Sequence, residues 1–181
     1  GSNMNPISAI GVYAAIQRHK SEPLHYPGGS PRINQAVDTD LIARACAWAA
    51  TSPNSRNETF NIDNGDLFVW QNVWPTICEA LDMPMGENNL YYLENLLTEE
   101  AETWANIVET YDLRAPKEIS KVVGQSLGYT DWQMATGTDV APNPVISSTI
   151  KIRQAGFHDC IDTEQMFRKW FGIYRCNRLL P

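Results

Sequence analysis

Apolar residues in this chain recur three and four positions apart along most of its length and seldom alternate one by one. That spacing gathers them on one side of an α-helix, so the chain has to bury itself mainly through helix faces. Asn5-Pro6 offers a capping side chain followed by a proline suited to the first turn, and Ile7, Ile10, Tyr13, Ala14 and Ile16 predict a helix to about His19. Asp38 caps a second helix with Leu41, Ile42, Ala45, Cys46, Trp48 and Ala49 as its apolar face, and Ser52-Pro53 ends it. Trp70, Val73, Trp74, Ile77, Cys78 and Leu81 predict a third, in which Pro75 demands either a start near Trp74 or a bend. Two more patterns run through Leu90, Leu93, Leu96 and Leu97, and from Glu99 to Tyr111 with Trp104, Ile107 and Val108 inward.

Ile119, Val122, Val123 and Leu127 predict a further helix, and Thr136 to Ser147 reads as a loop rich in proline, glycine and asparagine. Ser148 opens a short helix that Gly156 closes. Asp162-Thr163-Glu164-Gln165 resembles a capping box ahead of a last apolar stripe, Met166, Phe167, Trp170, Phe171 and Tyr174. Extended structure is sparse. Leu24 to Tyr26 ends in a Pro27-Gly28-Gly29 turn, and Thr59 to Ile62 predicts a strand with Phe60 and Ile62 on one face before Asn64-Gly65 turns the chain. The chain is therefore expected to be mostly α-helical with a few short strands, too few for a complete parallel sheet.

A chain of 181 residues with 43% hydrophobic and 19% charged content can bury one sizeable core. Its net charge of -7 opposes nucleic-acid binding, which runs on clustered Lys and Arg. Cys46, Cys78, Cys160 and Cys176 are scattered, as are His19, His25 and His158, so no metal site is expected and the thiols read as reduced. No apolar run is long enough to cross a bilayer and no signal-peptide pattern opens the chain, so a cytoplasmic protein without a membrane partner is expected. A dinucleotide fold needs a glycine-rich turn between strand and helix, and none is found; nor is a G-x-S-x-G elbow or a P-loop. None of Tyr13, Tyr26, Tyr91, Tyr92, Tyr111, Tyr129 and Tyr174 has a lysine four positions on, so the acid pair of a short-chain reductase is missing too.

An ordered series of short words nevertheless points one way. Ser2-Asn3-Met4-Asn5 with Val12-Tyr13-Ala14-Ala15-Ile16, Asp38-Thr39-Asp40-Leu41-Ile42-Ala43 with Trp48-Ala49-Ala50, and Asn57-Glu58 resemble extended short-chain dehydrogenases of the progesterone 5β-reductase and iridoid synthase-like family. So do Phe60-Asn61-Ile62 with Asn64-Gly65-Asp66, Trp70 and Trp74, Ser148 to Lys151, Gly156-Phe157 and Leu179-Leu180-Pro181. Gly124 to Ser147 departs from the family pattern in length and composition.

The resemblance implies an α/β protein with an NAD(P)-binding Rossmann half that would precede Gly1, residues 1–181 being its mostly helical C-terminal substrate-binding portion. It implies that Ser2, Asn3 and Met4 contact the nicotinamide end of the cofactor, and that Tyr129 and Trp132 form an apolar substrate wall supported by Phe157. NADP or NAD would serve the full-length protein and neither would bind this chain tightly. No catalytic residue is expected here, and the substrate would be an apolar enone or carbonyl compound. Two alternatives stand beside this reading. One is a non-catalytic helical binding or oligomerisation module. The other is a nucleotide-sugar epimerase or dehydratase relative, for which Arg18, Arg32 and Arg44 would have to meet a diphosphate. The lone strand at Phe60 to Ile62, lacking neighbours, is expected to drive a homodimer through Trp48, Trp74 and nearby apolar residues.

Overall fold

The computed structural model describes residues 3–140 and 143–181. Helix α1 (Pro6–His19) sets the architecture: Asn5 accepts the Ile7 N–H at 3.0 Å, Pro6 fills the first turn, and every residue from Ile7 to Ile16 is buried. A helix covered on all sides must serve as an axis. Around it pack α5 (Ala101–Thr110), α6 (Ile119–Val123), α7 (Ser126–Gln133) and α9 (Thr163–Cys176), while α3 (Trp70–Ala80) lies along α9. Trp74, Trp104 and Phe171 are almost fully enclosed in this core. Leu180 also reaches α1, resting on Gly11, where any Cβ would meet its methyl groups.

Three more of the expected caps stand where the sequence puts them, while α8 (Ile150–Gln154) opens at Thr149, one residue after Ser148. Asp38 accepts the Asp40 N–H at 2.9 Å to start α2 (Thr39–Thr51), Asp162 accepts that of Gln165 at 2.8 Å to start α9, and Gly156 takes a φ of 108° after α8. At Pro75 the helix neither starts late nor ends: α3 begins at Trp70 and carries the proline inside it.

The extended segments come out differently. The described residues pair β1 (Ile33–Asn34) antiparallel with β2 (Phe68–Val69), Ile33 opposite Val69 and Asn34 opposite Phe68, and Leu24 bridges Met85. Phe60 to Ile62 is not a strand. Its alternation is satisfied by side chains alone: Phe60 and Ile62 pack on a second small core of Leu41, Ile152 and Phe157, with Trp48 between Phe60 and Phe157 at 5.6 Å from each ring. The apolar face of α2 is likewise only partly used, since Leu41 is buried while Ile42, Cys46 and Ala49 are exposed. Trp74 is 1% exposed inside its own core, so it is closed to the self-association expected of it. Leu90 lies exposed outside any helix, and the helical pattern after it becomes a 3-10 turn at Leu93–Asn95 and the short α4 (Leu96–Glu99). Among the described residues no helix is long and apolar enough to cross a membrane.

A buried polar junction ties the second core to the first. Asn64, fully buried, accepts the Asp38 N–H at 2.7 Å and donates to Thr163 Oγ1 at 3.0 Å. Asp66 accepts from Thr163 N at 2.9 Å and Oγ1 at 2.6 Å. Lys169 on α9 pairs with Asp38 and, at 2.9 Å, with Asp40. Burial pulls the Lys169 ammonium down, yet the two carboxylates outweigh it and hold its pKa above the ordinary lysine value. The Asn64-Gly65-Asp66 words thus fasten α2 to α9.

Candidate functional site

The continuous helix expected from Ile119 to Leu127 is broken at Gly124, whose φ of 54° belongs to the left-handed region that glycine enters without strain. The break frees the start of α7 to hold the chain's beginning. The Gln125 N–H donates to the Asn3 carbonyl at 3.0 Å, and Ser126 Oγ accepts the Asn5 N–H at 2.9 Å. Met4, between these anchors, is thereby delivered to the side of α7. At the other end of α7, buried Asp131 accepts the N–H groups of Leu93 at 2.9 Å and Glu94 at 3.0 Å, fixing the turn before α4 against the helix. Burial pushes the Asp131 carboxyl above its ordinary pKa despite those two bonds.

Between these walls lies an open groove of about 730 Å³, lined by Met4, Leu97, Leu127, Tyr129, Trp132 and Glu94 together with Gly124, Gln125 and Gly128. Trp132 is 56% exposed, its ring 5.9 Å from that of Tyr129. Arg32 secures it from behind: the guanidinium lies 4.2 Å from the indole centroid and donates to the Trp132 carbonyl at 3.0 Å. A cation held over an indole face is stabilised by the ring quadrupole. On the next turn, Gln133 Nε2 donates to the Tyr129 hydroxyl at 2.7 Å.

The structure therefore brings Met4, Tyr129 and Trp132 to one groove and keeps Asn3 at its rim as a backbone anchor. It does not bring Phe157 there, because that ring is buried in the second core against Trp48. Ser2 lies outside the described residues. Arg18 donates to the Leu81 carbonyl and Arg44 pairs with Asp159 at 2.9 Å, so neither lines the groove. Glu94, Asp131 and Gln133 escaped the sequence reading, and Arg32 entered it only as a diphosphate contact of the nucleotide-sugar alternative, whereas it braces Trp132. For Gln133 a signal existed: it stands four positions after Tyr129, the place of the lysine in a short-chain reductase's acid pair. Arg32 carried none, being 100 positions from Trp132.

A second cavity of about 350 Å³ beside β2 collects Asp66, Asp162 and Glu164. These carboxylates are already engaged, by Thr163, the Gln165 N–H and the Thr76 hydroxyl respectively. Among the described residues no group of His, Cys, Asp and Glu is placed to hold a metal ion.

A helix-rich body with an apolar groove at its first residues is the class of structure in hand, and its relatives agree with the resemblance read in the sequence. The chain is similar along 99% of its length to proteins of the iridoid synthase and steroid 5β-reductase kind. An (S)-8-oxocitronellyl enol synthase of Antirrhinum majus is 39% identical over 119 residues, 62% of this chain and 30% of that protein. Another from Nepeta racemosa is 32% identical over 186 residues, 99% of this chain and 45% of that one. A 3-oxo-Delta(4,5)-steroid 5-beta-reductase of Arabidopsis thaliana is 27% identical over 186 residues, 99% of this chain and 46% of that protein. The chain thus spans less than half the length of these relatives. No family model matches it.

Proposed function

We propose that this chain is the substrate-binding portion of an NAD(P)H-dependent oxidoreductase that reduces an activated C=C or C=O of a small apolar molecule. The carrying observation is the meeting of Met4 with Tyr129 and Trp132 in one groove, across more than half the chain. Met4, Leu97, Leu127 and Trp132 give a ligand an apolar surface that displaces water, and Tyr129 adds a polar point at its edge. NAD(P)H, when bound in the full-length protein, supplies the hydride. Ser2, Asn3 and Met4 are the residues by which this chain would meet its nicotinamide end. The cofactor's diphosphate has no counterpart in the groove, since among the described residues no Lys or Arg lines it. For the same reason the reading of a nucleotide-sugar enzyme is the weaker one. The chain is proposed to work with a Rossmann nucleotide-binding half in the α/β manner of short-chain dehydrogenases, without metal or nucleic acid.

The test is a magnetic-resonance titration of the purified chain with cyclohexenone and, separately, with NADPH. Cyclohexenone is expected to shift the Trp132 indole signal first, NADPH to bind more weakly than micromolar, and the two together to give no turnover. Shifts confined to residues away from the groove, or cofactor-dependent reduction by the chain alone, would overturn the proposal.

A further inference from the structure

The Tyr129 hydroxyl has a defined sense. A phenol oxygen carries one proton and accepts through its lone pairs, whereas a glutamine amide nitrogen can only donate. Because Gln133 Nε2 donates to Tyr129 at 2.7 Å, the lone pair on that side is taken and the phenol's own proton is left to find an acceptor. No described residue accepts it. Tyr129 and Gln133 are one turn apart on α7, so the helix itself holds them together. The ring lies beside that of Trp132, which Arg32 holds from behind.

The charge of the groove narrows the acceptor. Among the described residues Glu94 is the carboxylate lining it, and no Lys, Arg or His does. An anionic ligand would meet repulsion without a counter-charge, while a neutral oxygen on an apolar body would meet neither.

We infer that Tyr129, held in its donating sense by Gln133, is the hydrogen-bond donor that reads a neutral carbonyl oxygen of the groove's ligand, with Gln133 as its positioning residue. This rests on the groove being the ligand wall proposed above. The device makes the direction of one hydrogen bond the basis of selection: a ligand that only accepts is taken, and a ligand that must donate gains nothing.

The test compares wild type with Tyr129→Phe, Gln133→Glu and Gln133→Lys, each titrated with cyclohexenone and with cyclohexenol while the Trp132 indole signal is followed. A carboxylate only accepts, so Gln133→Glu draws the phenol proton away from the groove; an ammonium only donates, so Gln133→Lys restores the original sense. Loss of one such bond is expected to weaken cyclohexenone binding about three- to tenfold in Tyr129→Phe and in Gln133→Glu, with Gln133→Lys recovering most of it. Cyclohexenol, which can donate to the phenol oxygen, should hold its affinity in Gln133→Glu. A purely structural glutamine would make the glutamate and lysine variants weaken both ligands alike, and that result overturns the inference while leaving the groove reading standing. Wild type in which neither ligand moves the Trp132 signal brings down the groove reading itself, and the inference with it.

Discussion

Asn64→Ala should unfold this chain far more readily than its single lost side chain suggests. The side chain is fully buried and works in two directions, accepting the buried Asp38 N–H at 2.7 Å and donating to Thr163 Oγ1 at 3.0 Å. Alanine leaves the Asp38 N–H with nothing to bond, which costs about 1–3 kcal/mol in a site closed to water. The Thr163 hydroxyl fares better, because it still donates to Asp66 at 2.6 Å; losing its second partner removes only about 0.5–1.5 kcal/mol. The expected destabilisation is about 2–4 kcal/mol, read by urea unfolding followed by circular dichroism. Asn61→Ala is the comparison: Asn61 sits in the same run of sequence but is exposed, bonding Ser148 at 3.2 Å, and should cost less than about 0.5 kcal/mol. Equal and small losses in the two variants would refute the reasoning, since they would mean that Asn64 is not the link between α2 and α9.

The Asp131 carboxyl is raised by burial above its ordinary pKa, so the native state keeps a proton that the unfolded chain has already released. Its contribution to stability therefore falls as pH rises from the ordinary aspartate value through the raised one. Asp131→Asn should flatten the stability profile in that window, and an unchanged slope would contradict this. Burial also pushes the Cys78 thiol up to about 11, whereas Cys46, Cys160 and Cys176 are exposed. A thiol reagent at mildly alkaline pH should modify those three quickly and Cys78 only on unfolding; rapid reaction of all four would be incompatible with the enclosed position of α3.

Helix ends were legible in the sequence because a cap is a local event. Asn5, Asp38, Asp162 and Gly156 each act within three positions of themselves, and each stands where the residue pattern puts it. Partners are a different matter. Alternation at Phe60 and Ile62 states which side chains share a face and says nothing about whether another strand lies alongside; here Trp48 covers the face and no strand does. The spacing on α2 is equally silent about what meets Ile42 and Cys46. Of the groove, the resemblance supplied Met4, Tyr129 and Trp132, yet it also supplied Phe157, whose ring belongs to another core. Arg32 was out of reach, since its tie to Trp132 exists only after folding has closed a long loop between them.

The enclosure of α1 has a consequence for how the chain is made. This helix leaves the ribosome with apolar residues on every side well before α9 and Leu180, which are among its covers. Until they arrive its burial on α5, α6 and α7 is incomplete. Folding must then wait for contacts between distant parts of the sequence, which slows it and prolongs the exposure of a sticky intermediate. Its yield on refolding is therefore expected to be lower than the stability of the finished fold would suggest.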